Sequence, residues 1–387
     1  MAVTSIRSLS RETILGLSAG ALLVLFTVVG FASNRYHQKR TALALEWYAR
    51  GQADLQAQDA RHALRAIDDF RTALIYSPEN DRYRLNLADA LIAAGHLDAA
   101  RTYLLNVWDD DSENGAVNLD LARLAARNGN TSDALRYYQS AIYGRWESDA
   151  EPQRIQARLE LCRFLLSHGR TGEAQGELMA LAGSLPSDPS LHTEVAKLFL
   201  QAQDKLHALD QFRAALRLDP KRLEALLGAG EIAFQTGDYR SAERYFGRAV
   251  AEQPNDARTR SRLSIARLVL ASDPFESRLS NQERSARVQQ AFERALARLE
   301  DCAHIRGESL PSSSASPLLD LQQLYARAEK MRPQVRVGNL LRNPDLQTSA
   351  LDLAFEAEEL AAQRCGSPEG LDEALLLIAS AHRGSEL

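Results

Sequence analysis

The chain has 387 residues, 45% of them hydrophobic and 25% charged, proportions that exclude a wholly disordered or a collagen-like protein. Its three cysteines are too few for a disulfide-stapled miniprotein or an all-cysteine zinc site. A net charge of −5 speaks against a nucleic-acid binder.

Residues 1–12 form an amino-terminal tail. Thr13 to Ala32 then runs for 20 residues without a charge. At about 1.5 Å per residue this spans roughly 30 Å, the thickness of a hydrocarbon core, and predicts a transmembrane helix over 13–32. Arg11 and Glu12 close one end; Arg35, His37, Lys39 and Arg40 close the other. A cleaved signal peptide, with Gly30 and Ala32 as its small-residue site, is the competing reading, although the stretch exceeds the usual apolar region of about 7–15 residues. Basic residues on both sides leave the positive-inside rule nearly tied. A short tail bearing Arg7 and Arg11 is costly to translocate, so the expectation is amino terminus in and bulk of the chain out. Gly16 and Gly20, four apart on one helix face, are candidates for a contact between two copies.

A 34-residue period fills residues 41–254. Ala66, Ala100, Ala134, Ala174, Ala208 and Ala242 are spaced 34, 34, 40, 34 and 34 residues apart. Four residues after each stands a large apolar residue: Phe70, Leu104, Tyr138, Leu178, Phe212 and Phe246. Three further on come Ala73, Val107, Ala141, Leu181, Ala215 and Ala249. Pro78, Pro186, Pro220 and Pro254 follow at the same offset in four units. Gly95, Gly129, Gly169 and Gly237 precede the first alanine by five residues. The pattern predicts helix pairs: glycine ends the first helix in a left-handed turn, alanines allow close packing, and proline stops the second helix. Such a pair cannot bury its own apolar face, so units must stack. The single 40-residue step fits a six-residue insertion around Tyr143 to Pro152.

This pattern resembles the tetratricopeptide repeat (TPR). The sixth unit shows it best, with Ala229-Gly230, Gly237-Asp238-Tyr239, Ala242, Phe246, Ala249 and Pro254. Three features depart from it. The first unit has about three extra residues in its turn, the fifth has Gln203 where glycine is expected, and most units lack the family's first-helix tryptophan. The resemblance implies about six TPR units in an all-α solenoid, with first helices (A) lining a concave groove that takes protein segments.

Beyond Pro254 the period loosens. Residues 255–309 read as a degenerate capping repeat, with Val288, Phe292, Leu296 and Leu299 on one face of a long helix. Residues 310–387 read as a linker, Leu310 to Ser316, followed by helices over Pro317–Met331, Thr348–Arg364 and Leu371–His382. Arg332 to Gln347 is expected to be a loop. Cys162 falls on a small-residue packing position. Cys302 and Cys365 each end a predicted helix; they are either a disulfide closing a loop of about 60 residues, which would add roughly 3–4 kcal/mol, or two unrelated buried thiols.

Nothing in the chain forms a catalytic constellation. Gly228, Gly230 and Ala233 spell a dinucleotide-type motif but sit inside a predicted helix rather than after a strand. His96, His168 and His207 are scattered over separate repeats, and Asp109-Asp110-Asp111 lacks the spacing of a calcium loop. No cofactor, no metal and no catalysis are therefore expected. Two positions one turn apart on the A helices carry the binding expectation. One holds Asn86, Asp120, Glu160 and Glu194; the other Asp89, Arg123, Arg163, Lys197 and Glu231. Arg123, Arg163 and Lys197 are candidates to hold carboxylates or carbonyls of a bound segment. Alternatively, Asp120–Arg123, Glu160–Arg163 and Glu194–Lys197 pair only within their own helices, for about 0.2–0.5 kcal/mol each. Asn86 alone does not make the family's carboxylate-clamp pattern.

The whole reads as a TPR-type α-solenoid preceded by one transmembrane helix: a single-pass, non-catalytic scaffold for partner proteins. The Arg-rich, Cys-poor composition looks bacterial. By likeness to inner-membrane TPR proteins, the repeat domain is expected in the periplasm, with the cytoplasmic orientation as the alternative. A structural subunit acting through its convex face and membrane helix is the alternative function.

Overall fold

The computed structural model describes residues 11–57, 59–308, 310 and 320–384 of the chain, with the side chains of 11–22, 60, 383 and 384 outside that description. Every regular element among the described residues is a helix. The chain divides into two compact units between Arg170 and Thr171, inside the fourth repeat.

The first unit contains α1 (Arg11–Gln56), α2 (Ala60–Tyr76), α3 (Asp81–Ala93), α4 (Leu97–Asp110), α5 (Gly115–Arg127), α6 (Thr131–Tyr143) and α7 (Ala150–Ser167). Short polar caps start α2, α3, α5 and α6: the Asp59 carboxylate accepts from the His62 N–H, Asn80 from Tyr83, Asn114 from Ala116 and Val117, and Asn130 from Asp133. Each such cap stabilises its helix by about 1 kcal/mol. The periodic alanines and large apolar residues form the core, with Ala66, Phe70, Ala100, Leu104 and Ala134 fully buried. Gly95, Gly129 and Gly169 end their helices at φ of 81°, 71° and 71°.

The helix α1 runs without a break from the apolar segment into the first repeat, where Ala44 is the first buried side chain among those described. Leu23 to Val29 and Phe31 are exposed along it, Phe26 at 80%. Among the described residues no helix is long and apolar enough to cross a membrane. The expected span Thr13–Ala32, with Gly16 and Gly20, lies in good part on residues whose side chains are outside the description.

The second unit contains α8 (Thr171–Ala182), α9 (Pro189–Gln201), α10 (Lys205–Leu218), α11 (Leu223–Gln235), α12 (Tyr239–Glu252), α13 (Ala257–Ser272), α14 (Asn281–Arg306), α15 (Asp320–Met331), α16 (Val337–Leu340), α17 (Pro344–Cys365) and α18 (Leu371–Gly384). Its repeats pack as the first unit's do. A Cβ on Gly230 would fall 2.7 Å from the Phe246 ring, so only glycine lets α11 approach α12 this closely. Gly228 and Gly230 thus serve helix packing inside α11. Gln203 holds the turn at φ 61°, the left-handed conformation glycine takes elsewhere.

The carboxy-terminal helices fold back on α13 and α14 rather than trailing from a cap. Val288, Phe292, Leu296 and Leu299 of α14 share one core with Leu351 and Phe355 of α17 and Leu375 and Ile378 of α18. Arg294 clasps Asp372 with hydrogen bonds of 2.5 and 2.7 Å, fixing α18 to α14. Cys302 and Cys365 are joined as a disulfide, their Cα atoms 5.6 Å apart, which ties the ends of α14 and α17. Cys162 is a free, buried thiol. The expected loop over 332–347 contains the short α16, whose Leu340 is fully buried. Residues 311–316 of the expected linker lie outside the described residues.

Candidate functional site

The A helices α3, α5 and α7 bring part of the expected groove together in the first unit. Arg123 on α5 reaches Glu160 on α7 twice, Nε to Oε2 at 2.9 Å and Nη2 to Oε1 at 2.7 Å. Its Nη1 donates to Asp120 at 2.9 Å, and Gln156 Nε2 donates to Glu160 at 2.9 Å. Burial works to raise the Glu160 carboxyl, but the hydrogen bonds from Arg123 and Gln156 outweigh it and hold the group below the usual range. The Arg123 guanidinium is raised, chiefly by its hydrogen bond to Glu160.

The carboxyls of Asp89 on α3 and Asp120 on α5 neighbour each other and interact electrostatically. Burial and then the Asp120 charge push Asp89 up to about 8, against the pull of Arg123. Burial raises Asp120 as well, again against Arg123. Two carboxyls this close cannot both ionise cheaply, so the pair retains one proton near neutral pH. Tyr138 is pushed up to about 12, first by burial and then by Glu160.

The insertion between α6 and α7 supplies the cleft's outer wall. The Arg145 N–H donates to the Glu113 carbonyl at 2.7 Å, and the Gly115 N–H donates to the Arg145 carbonyl at 2.8 Å. The Arg145 side chain pairs with Asp111 at 2.6 Å, and Arg154 donates to the Gly144 carbonyl at 3.1 Å. The Trp146 Nε1–H donates to the Ala141 carbonyl at 3.0 Å. Its indole sits on Gly115, where a Cβ would fall 2.4 Å from the ring. The loop is thereby pinned to the turn before α5. It encloses a cleft of about 310 Å³ lined by Asp89, Asn114, Asp120, Arg123, Trp146, Glu147 and Ser148, among others.

The remaining expected groove residues are placed differently. Asn86 is spent on its own helix, donating to the Arg82 carbonyl at 2.9 Å. Arg163 lies on α7 close enough to act electrostatically on Glu160 and Tyr138. In the second unit, Glu194 and Lys197 lie on α9 and Glu231 on α11. Lys197 pairs with Glu224 on α11 at 3.1 Å, and Glu231 pairs with Arg262 on α13 at 3.5 Å. Arg123 is engaged by Asp120 on its own helix and by Glu160 on the next A helix. The charges are not paired only within their own helices: Arg123 and Lys197 each join successive A helices.

Trp146, Glu147 and Ser148 were not among the expected site residues. The signal for them was the 40-residue step, an insertion that carries one of the chain's three tryptophans. Among the described residues no group of His, Cys, Asp and Glu is arranged to hold a metal ion.

One tetratricopeptide-repeat family model matches residues 54–108 and 199–262, and a second such model matches 119–189. The chain carries tetratricopeptide repeats over these stretches. Solved structures similar to it include the C-terminal part of a TPR repeat-containing protein from Cytophaga hutchinsonii, at 14% identity, covering 62% of this chain and 92% of that one, with a TM-score of 0.45. YrrB, a TPR protein with an unusual peptide-binding site, is 17% identical over 49% of this chain and 95% of its own, with a TM-score of 0.38. Pseudomonas aeruginosa pilF is 17% identical over 54% and 89%, with a TM-score of 0.34. No curated protein matches the sequence.

Proposed function

We propose that this protein is a non-catalytic scaffold that holds a segment of a partner protein on the A-helix face of its first unit. The observation that carries this reading is the cleft between α3, α5 and the inserted loop, where a repeat period is broken to build a wall. TPR proteins generally act as protein-interaction scaffolds, and the matched repeats support the same class here. The proposal includes tethering at the bacterial inner membrane through Thr13–Ala32, supported by the charge-free run and the exposed apolar side chains of α1 from Leu23 to Phe31. It places the repeats in the periplasm, which the Cys302–Cys365 bond favours because such bonds persist in oxidising compartments.

A photocrosslinking residue at Ser148, in the full chain in its membrane, tests the binding face. The control is the same residue at exposed Arg101 on α4, a second (B) helix. The expected result is a protein adduct at Ser148 that the Trp146→Ala variant loses while its helical circular dichroism is unchanged. Adducts at Arg101 alone, or none at Ser148, would contradict the reading.

A further inference from the structure

We infer that the cleft takes one cationic side chain, a lysine or arginine of the bound partner segment. The inference rests on the scaffold reading and names the chemistry of the anchor. The charged groups lining the cleft are Asp89, Asp120, Glu147 and Arg123. Arg123 gives Nε and Nη2 to Glu160 and Nη1 to Asp120, so its charge is already answered. Asp120 is answered in part by Arg123 at 2.9 Å, whereas Asp89 lines the cleft beside Asp120, whose charge opposes its ionisation. A cation entering there would satisfy both groups.

The wall agrees with the floor. The Trp146 indole, held by Ala141 and Gly115, lines the same cleft, and an indole is the ring that attracts a lysine ammonium or arginine guanidinium best. An acidic side chain would meet three carboxyls. An apolar one would leave Asp89 and Asp120 to share the single guanidinium of Arg123, which Glu160 already engages. The site therefore discriminates by charge as well as by size.

The surrounding groups set the pH response. Tyr48 on α1 lies within electrostatic reach of Asp89 and carries Arg82 over its ring, Arg123 acts on Asp89 from α5, Glu160 and Arg163 lie on α7, Tyr138 on α6 and Glu147 in the loop. The Asp89 carboxyl is pushed up to about 8, by burial and then by the Asp120 charge, and so keeps its proton near neutrality. An entering cation must displace that proton, so binding weakens on acidification by up to about tenfold per pH unit below about 8.

The test uses the full chain in detergent with 5-fluorotryptophan at Trp47, Trp108 and Trp146, the last resonance assigned with Trp146→Phe. The probes are acetyl-Gly-X-Gly-amide peptides in which X is lysine, arginine, norleucine or glutamate. The expected result is a shift of the Trp146 resonance by the lysine and arginine peptides alone. Asp89→Asn should weaken the lysine peptide by about tenfold, with the Trp47 and Trp108 resonances unmoved as evidence of an intact fold. Equal shifts by norleucine, unchanged lysine binding in Asp89→Asn, or no shift with any peptide would overturn the inference. A Ser148 adduct obtained together with any of those outcomes would leave the scaffold reading standing; loss of the adduct as well would remove both.

Discussion

Arg123 and Glu160, 37 residues apart in the chain, face each other through two hydrogen bonds of 2.9 and 2.7 Å. The pair fastens the A helix of the third repeat to that of the fourth, and it fixes the guanidinium that borders the Asp89–Asp120 carboxyls. A residue that looks like a binding cation in the sequence is here a strut that keeps the cleft acidic.

Removing the strut destabilises the first unit modestly. The Arg123 side chain is 41% exposed, so water screens the pair, and Arg123→Ala or Glu160→Ala should each cost about 1–2 kcal/mol. Urea denaturation of both single variants and the double variant should give a favourable coupling energy. Additivity would show that the two side chains do not act together.

The Asp89 carboxyl makes stability fall as pH rises. Folded, it keeps its proton up to about pH 8, whereas an unfolded aspartate loses it near pH 4. Unfolding between those values releases a proton. The contribution is full below about pH 4 and is lost progressively as pH climbs to about 8. Asp89→Asn removes this dependence, so its thermal midpoint should fall less with pH over that window and exceed the parent's above it. Parallel profiles for the two proteins would show that Asp89 titrates normally.

Gln203 takes a backbone conformation at φ 61° that costs an L-residue about 1 kcal/mol or more, while the equivalent turns use glycine at 71° to 81°. Gln203→Gly should stabilise the second unit by about 0.5–1 kcal/mol, after the greater chain entropy of glycine is subtracted. Denaturation of the variant measures it; a loss of stability would mean the glutamine side chain contributes more than the strain.

The Cys302–Cys365 bond closes a loop of 63 residues. In the chain-entropy model such a closure stabilises by about 4 kcal/mol. Mass spectrometry after alkylation in denaturant should find one modifiable cysteine, Cys162, before reduction and three after it. Reduction should lower the unfolding midpoint of the second unit. Three alkylated cysteines without reductant would exclude the bond.

What was legible in the sequence was whatever the 34-residue period repeats. Ala66, Phe70, Ala208 and Phe212 occupy the buried positions their spacing requires, and Asp89, Asp120 and Arg123 fall on neighbouring A helices. What the period does not repeat was not legible. The Arg123–Glu160 contact was hidden because each residue also has a partner-like charge three residues away. Trp146 was hidden because it lies in the insertion that breaks the register. Glu358, in the helix expected over Thr348–Arg364, is 1% exposed and its carboxyl is pushed up to about 8, first by burial and then by Asp372. Only the return of α17 and α18 onto α14 encloses it, and that return leaves no periodic trace.

On the proposed function, the inserted loop builds a cleft that holds a partner. Gly115→Ala tests it most directly, because a Cβ there would fall 2.4 Å from the Trp146 ring and displace the indole from the wall. The substitution should cost about 1–3 kcal/mol and leave the helices folded. With the photocrosslinker at Ser148, the adduct seen in the parent should be lost in Gly115→Ala while helicity is retained. An adduct of undiminished yield in the folded variant would contradict it.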